Sequence, residues 1–232
     1  MARKKIVFVI VEGPSDESAL ALMLDKLFDK QTVHVHVLRR DITTEIGVDS
    51  SNIAATIAEE VEQYANSLHL VDTHFQEIIH IVDTDGAYIP NENVIEDKTL
   101  PDHLYSPTEI RTPNKANIEQ RNLQKSWNLN RLITTKKIWK IPYSVYYMSC
   151  NLDHALYGKL NTSDEDKEKD AHAFAKQYKD DVPGFLKYIS ESDFSVMDGY
   201  KESWKYIKQD LHSLERHTNL GICFIQEEDS AE

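Results

Sequence analysis

The chain is 232 residues long, enough for one large domain or a domain with a helical annex, and its 41% apolar content supports a real core. A net charge of −13 argues against gripping nucleic acid through a broad basic surface, but not against meeting phosphate through a bound divalent cation that supplies the positive charge. Cys150 and Cys223 lie far apart, with no Cys-x-x-Cys and no apolar stretch of membrane length, so a disulfide framework, structural zinc and a membrane span are not expected.

The apolar run after MARKK covers only Ile6–Val11 and stops at Glu12, so no signal peptide is expected and the location is most simply cytoplasmic. Lys5–Val11, KIVFVIV, reads as a strand buried on both faces. After Glu12-Gly13-Pro14-Ser15-Asp16 a helix is expected, with Ser15 as N-cap. Asp16 and Glu17 then fall in its first turn, where the helix dipole favours acids. Ala19, Leu20, Met23, Leu24, Leu27 and Phe28 make one packing face. Thr32–Leu38 alternates Val33, Val35 and Val37 against His34 and His36, which predicts an edge strand with solvated histidines. No third ligand accompanies those histidines, so they are not read as a metal site. Asn52 opens a helix carrying Ile53, Ile57, Val61, Tyr64 and Leu68. Glu77–Ile89, EIIHIVDTDGAYI, follows: Ile78, Ile79, Ile81 and Val82 around His80 predict a buried strand running into Asp83-Thr84-Asp85-Gly86. Strand-helix-strand-helix-strand is the pattern of an α/β domain with a mostly parallel sheet.

Beyond Gly86, Tyr88–Pro113 holds Pro90, Pro101, Pro107 and Pro113 and reads as a long loop at the active-site end. Asn114–Leu132 is expected to be a polar helix with Ile118, Leu123, Trp127 and Leu132 loosely periodic. Lys136, Lys137 and Lys140 around Trp139 read as ordinary surface. Pro142–Met148, PYSVYYM, is the next strand, closing with Ser149-Cys150-Asn151-Leu152-Asp153 before a helix over His154–Leu160. Thr162–Asp170 reads as a charged hinge, and helices are expected over Ala171–Tyr178, Gly184–Ile189 and Met197–His217. A short strand over Asn219–Ile225 and a disordered EEDSAE tail end the chain. Residues 1–160 would then be the catalytic core, with 88–137 inserted, and 161–232 a helical extension packed on it.

The acids fall in register with the strand ends. Glu12, Asp16, Asp83, Asp85 and Asp153 would share one rim of a parallel sheet, and Asp83 and Asp85 point the same way from an extended backbone. A turn explains Asp85-Gly86 but not Asp83 or the recurrence of acids. Hard divalent ions such as Mg²⁺ and Mn²⁺ take a few carboxylates plus water and substrate phosphate, so a site for one or two such ions is the stronger reading.

VIVEGPSDESAL (Val9–Leu20) and IIHIVDTDG (Ile78–Gly86) resemble the two signature motifs of the Toprim domain, a glutamate after the first strand and Asp-x-Asp after the third. The E-G-x-x-D-x-x-x-L form, with SCNLDHALYG (Ser149–Gly158) downstream, resembles the OLD-type (overcoming lysogenisation defect) and RloB-like Toprim nucleases linked to phage defence. The resemblance spans residues 5–160 and implies a metal shell of Glu12, Asp16, Asp83, Asp85, Ser149 and Asp153, with Glu12, Asp83 and Asp85 catalytic. It implies a Mg²⁺- or Mn²⁺-dependent hydrolase acting on DNA or RNA. Asp153 stands where those families more often carry glutamate, and no Walker loop occurs, so the ATPase half is absent and a separate ATPase or other defence protein is the implied partner. A basic residue from the C-terminal region assists in the OLD nucleases, with Lys201, Lys205 and Lys208 as candidates here.

Two alternatives stand beside the nuclease. Asp83-Thr84-Asp85-Gly86 also resembles the nucleophile loop of haloacid-dehalogenase-like phosphatases, with Ser149 as second motif, but that leaves Glu12-Gly13 without a role. The missing ATPase also fits a non-catalytic, metal-binding subunit of a defence complex.

Overall fold

The computed structural model describes residues 5–28, 33–37 and 41–224. Its framework is α/β: a mostly parallel sheet with helices on both faces. Strand β1 (Ile6–Val11) leads through helix α1 (Pro14–Phe28) to β2 (Val33–Val37), then through α2 (Ile53–Ser67) to β3 (Phe75–Asp83). A small sheet of β4 (Val94–Glu96), β5 (Leu104–Tyr105) and β6 (Ile110–Thr112) precedes the long helix α3 (Lys115–Thr134). Next come β7 (Lys137–Ile138), β8 (Ile141–Ser149), α4 (Leu152–Tyr157), α5 (Asp164–Tyr178), α6 (Val182–Glu191), α7 (Tyr200–Ile207) and β9 (His217–Thr218).

The order across the main sheet is β2-β1-β3-β8-β7, with β9 also on β8. β2, β1, β3 and β8 pair in parallel, and β7 and β9 run antiparallel to β8. Parallel pairing is what crossover helices impose, and it brings the carboxyl ends of β1, β3 and β8 to one rim. Alternation along β1 feeds both faces. Phe8 and Ile10 pack with Ile53, Ile57 and Val61 of α2, Leu129 and Leu132 of α3, and Trp204 of α7. Val7, Val9 and Val11 pack with Leu20 and Leu24 of α1, Leu156 of α4, Phe174 of α5 and Phe185 of α6.

Several elements differ from expectation. Helix α1 starts at Pro14, so Ser15 lies in its first turn; proline suits that place because its missing N–H has no helical partner to lose. Strand β2 is at the sheet edge as expected, but His34 and His36 are not a solvated face. The His34 ring stacks on Tyr64 at 3.9 Å, and His36 Nε2 lies 3.3 Å from Glu60, so α2 covers them. The segment read as a loop carries the sheet β4-β6-β5, whose Val94 and Ile110 form a satellite core with Ile89, Ile118 and Leu214. The charged hinge opens α5: Ser163 caps it, its hydroxyl accepting from the Asp166 amide, and Asp164, Glu165 and Asp166 fill the first turn. The helix expected over Met197–His217 stops at Ile207, and the chain then turns into β9 and a 3₁₀ turn over Leu220–Phe224, where a strand was expected. The EEDSAE tail lies outside the described residues.

Candidate functional site

The rim of the sheet draws together the acids from β1 and β3. Glu12, one residue past β1, turns its carboxylate across to β3, where Oε1 accepts a hydrogen bond from the Asp83 amide at 3.2 Å. The turn after Glu12 folds Asp16 back, its Oδ2 accepting from the Gly13 amide at 2.9 Å. Asp83 Oδ1 accepts from the Leu152 amide at the start of α4, 3.0 Å away, which ties β3 to the segment after β8.

The Asp83–Gly86 loop is stapled on both sides. Thr84 N donates to Met148 O at 3.1 Å and Asp85 N to Cys150 O at 2.7 Å. Thr84 Oγ1 donates to Ser213 O at 2.8 Å, and Gly86 N to the same carbonyl at 3.1 Å. Asp85 and Gly86 both have positive φ, 49° and 70°. A Cβ on Gly86 would sit 2.7 Å from Leu214 Cδ2, so both the backbone angle and the close approach demand glycine.

Asp85 is then held from behind by α3. Tyr105 Oη donates to its Oδ1 at 3.2 Å, and Arg121 donates to Tyr105 Oη at 2.7 Å and to Asp85 O at 2.8 Å. Lys125, one turn further along α3 and 0% exposed, places Nζ 2.5 Å from Asp85 Oδ2, 2.8 Å from Asp41 Oδ2 and 4.0 Å from Glu12 Oε1. Asp41 is itself fixed by the Thr43 amide at 2.8 Å and by the hydroxyls of Thr43 and Thr44. In front lies an open cleft of about 690 Å³ whose walls include Glu12, Asp16, Asp41, Asp83 and, from α5, Lys167.

Burial raises Glu12 and Asp83 well above the ordinary carboxylate range; Asp41 raises Glu12 further and Glu12 raises Asp83 further. Burial also raises Asp16, to about 6, against the Gly13 hydrogen bond and with Asp153 adding repulsion. Asp41 goes the other way: burial would raise it, but Lys125 and the threonine hydrogen bonds bring it to about 2. Burial alone would lower Lys125, yet Asp41, Asp85 and Glu12 together hold its ammonium charged. The site is therefore a cluster of carboxyl groups around one internal cation, with the front groups holding their protons more tightly than ordinary carboxyls.

The six residues of the expected metal shell do not stand alike. Glu12, Asp16 and Asp83 face the cleft. Asp85 belongs to the Lys125–Tyr105 network behind it. Asp153, 5% exposed in α4, is near enough to raise Asp16, and its own pKa is raised by burial. Ser149 is fully buried, and its hydroxyl is shared between the carbonyls of His212 and Glu215, each at 2.8 Å. Among the described residues, no three or more His, Cys, Asp or Glu side chains stand in an arrangement that could by itself hold a metal ion. The all-oxygen front of Glu12, Asp16 and Asp83 still suits a hard divalent cation, which needs only a few carboxylates when water and substrate complete its shell.

Sequence reasoning missed Asp41, Tyr105, Arg121 and Lys125. Of the C-terminal lysines named as candidates, Lys205 pairs with Glu202 and Lys208 lies over the Tyr88 ring, whereas the cation held among the acids is Lys125. One signal was present in α3. Ile118, Asn122, Lys125, Leu129 and Leu132 follow at steps of four and three and are all buried, whereas Leu123 and Trp127 are 49% and 57% exposed. A helical stripe with a lysine in its middle asks for a buried counter-charge.

Among the described residues, no helix is long and apolar enough to cross a membrane. No protein-family model, curated protein or solved structure matches the chain.

Proposed function

We propose that this protein is a divalent-metal-dependent phosphodiester hydrolase acting on nucleic acid, as the resemblance of its motifs to Toprim nucleases implies. The observation that carries the reading is the reach of Glu12 across the sheet to the Asp83 amide, at 3.2 Å, which brings two motifs 71 residues apart to one cleft. The phosphatase alternative leaves Glu12 idle; the nuclease reading uses it.

Glu12, Asp16 and Asp83 would hold Mg²⁺ or Mn²⁺. When bound, the ion would supply positive charge to the scissile phosphate and lower the pKa of water. Glu12, which lines the cleft and reaches across to the Asp83 amide, would accept a proton from the attacking water. Asp85 does not face the cleft; it anchors Lys125, whose charge lies behind the carboxylates and limits their mutual repulsion. Lys167 at the cleft wall offers a contact for an incoming phosphate. With a net charge of −13, the protein would take up a polyanion at this one place rather than along a basic face.

The test is incubation with plasmid DNA and with single-stranded DNA and RNA, in Mg²⁺ or Mn²⁺ and in chelator. Cleavage should require the ion and fall at least about 100-fold in Glu12→Ala, the range for losing a general base, and by a similar factor in Asp83→Ala, which removes a group that would hold the ion. No cleavage of any substrate, or cleavage undiminished from wild type in both variants, overturns the assignment.

A further inference from the structure

Two-ion phosphodiester sites hold their cations about 3.5–4 Å apart, each bridged by carboxylates. Here a lysine ammonium stands among the carboxylates. Lys125 Nζ lies 2.5 Å from Asp85, 2.8 Å from Asp41 and 4.0 Å from Glu12, and its side chain is 0% exposed. That is three carboxylates around one positive charge. The ammonium is not a stray surface group folded inward, since it rises from the middle of the buried stripe of α3. Arg121, one turn earlier, locks the same aspartate through its carbonyl and through Tyr105. Asp41 is pre-set for the lysine by the Thr43 and Thr44 hydrogen bonds. What remains open is the front: Glu12, Asp16 and Asp83 line the cleft together with Asp41, whose Oδ2 is already taken up by the lysine.

We infer that Lys125 is a built-in replacement for a second metal ion, so that the site takes one divalent cation, at Glu12, Asp16 and Asp83, with the lysine as fixed partner charge. The inference rests on the metal-site reading above and specifies it. It makes Asp85 and Asp41 ligands of a lysine rather than of an ion, and Lys125 a positioning residue that sets the number of ions. Removing the lysine leaves Asp41, Asp85 and Glu12 around a vacated cationic position, which a second ion is the right chemistry to fill.

Manganese counts the ions directly. Titration of the full chain with Mn²⁺, followed by equilibrium dialysis and electron paramagnetic resonance, should give one ion per chain and the six-line signal of isolated Mn²⁺. Lys125→Met should bind two ions per chain with a spin-coupled signal, and its melting temperature should rise more with Mn²⁺ than the wild type's. Lys125→Arg should stay at one. Two ions in the wild type overturn the lysine inference and leave the metal site standing. No ion in the wild type at millimolar Mn²⁺ overturns both. A folded Lys125→Met variant that still binds one ion also overturns it, and if that variant folds only with Mn²⁺ present, the wild-type count decides.

Discussion

Asp16 shows what a carboxylate kept ready for a cation does to the fold. Its pKa stands at about 6 because burial and the nearby Asp153 oppose its charge, against 3.8 in an exposed aspartate. The folded state therefore holds the proton more tightly than the unfolded chain. The contribution to stability is fully present below pH 3.8 and is lost as pH rises to about 6. Asp16→Asn keeps the shape and the acceptor for the Gly13 amide but removes the charge. Without divalent ions the variant should be more stable than the wild type above pH 6, by about 1 to 2 kcal/mol after solvent screening, and equal to it near pH 4. Urea unfolding across that range checks the sign. The same variant should lose most of the stabilisation that Mn²⁺ gives the wild type, because mass action needs the ligand it removes. A binding group that weakens the empty protein is the usual price of function.

At the level of the element, α3 does two tasks with one polar stripe. Lys125 and Arg121 serve the acid rim, while Gln124 and Asn128 hold the 41–48 loop that carries Asp41. Gln124 Nε2 donates to the carbonyls of Glu45 and Val48 at 2.9 Å, and Asn128 Nδ2 donates to Thr43 O at 2.8 Å. Asn128 is fully buried, so truncation leaves the Thr43 carbonyl without its donor in a dry place. Asn128→Ala should cost about 1 to 3 kcal/mol in a denaturant melt, more than an exposed asparagine would. An unchanged midpoint would mean that the loop is held by other means. The helix itself starts cleanly, since Asn114 caps it by accepting from the Asn117 amide at 3.2 Å.

Over the whole molecule, opposed proton linkages act in one pH window. His80 sits in the middle of β3, fully buried, with Nδ1 2.8 Å from Tyr143 Oη, and burial lowers it to about 3. His154 is lowered to about 4 by burial and then by Arg216. A histidine with a depressed folded pKa takes up its proton only on unfolding, so its stabilising effect is present above pH 6.5 and is lost as pH falls toward the folded value. This limb rises with pH where the Asp16 limb falls. The wild type should therefore have a flatter stability profile between pH 4 and 6 than Asp16→Asn. His80→Gln, which keeps a partner for Tyr143 without a titrating proton, should flatten the acid limb by up to about 1.4 kcal/mol per pH unit. Thermal melts at half-unit pH steps distinguish these slopes.

What the sequence determined by itself is local and periodic. The buried runs of β1 and β3, the apolar faces of α1 and α2, the edge place of β2 and the acids at strand ends all follow from patterns within a dozen residues, and the α/β framework follows from their order. Where patterns were weak the elements were misjudged: short strands among Pro90, Pro101 and Pro107, and a helix opening inside the charges of Asp164–Asp170. Only the tertiary structure decided which acids face the cleft, that Ser149 turns to the His212 and Glu215 carbonyls, and that Lys125 and Asp41 share the site. The reason is physical. A buried lysine is stable only where remote carboxylates surround it, and that arrangement depends on how β1, the 41–48 loop, β3 and α3 meet in space.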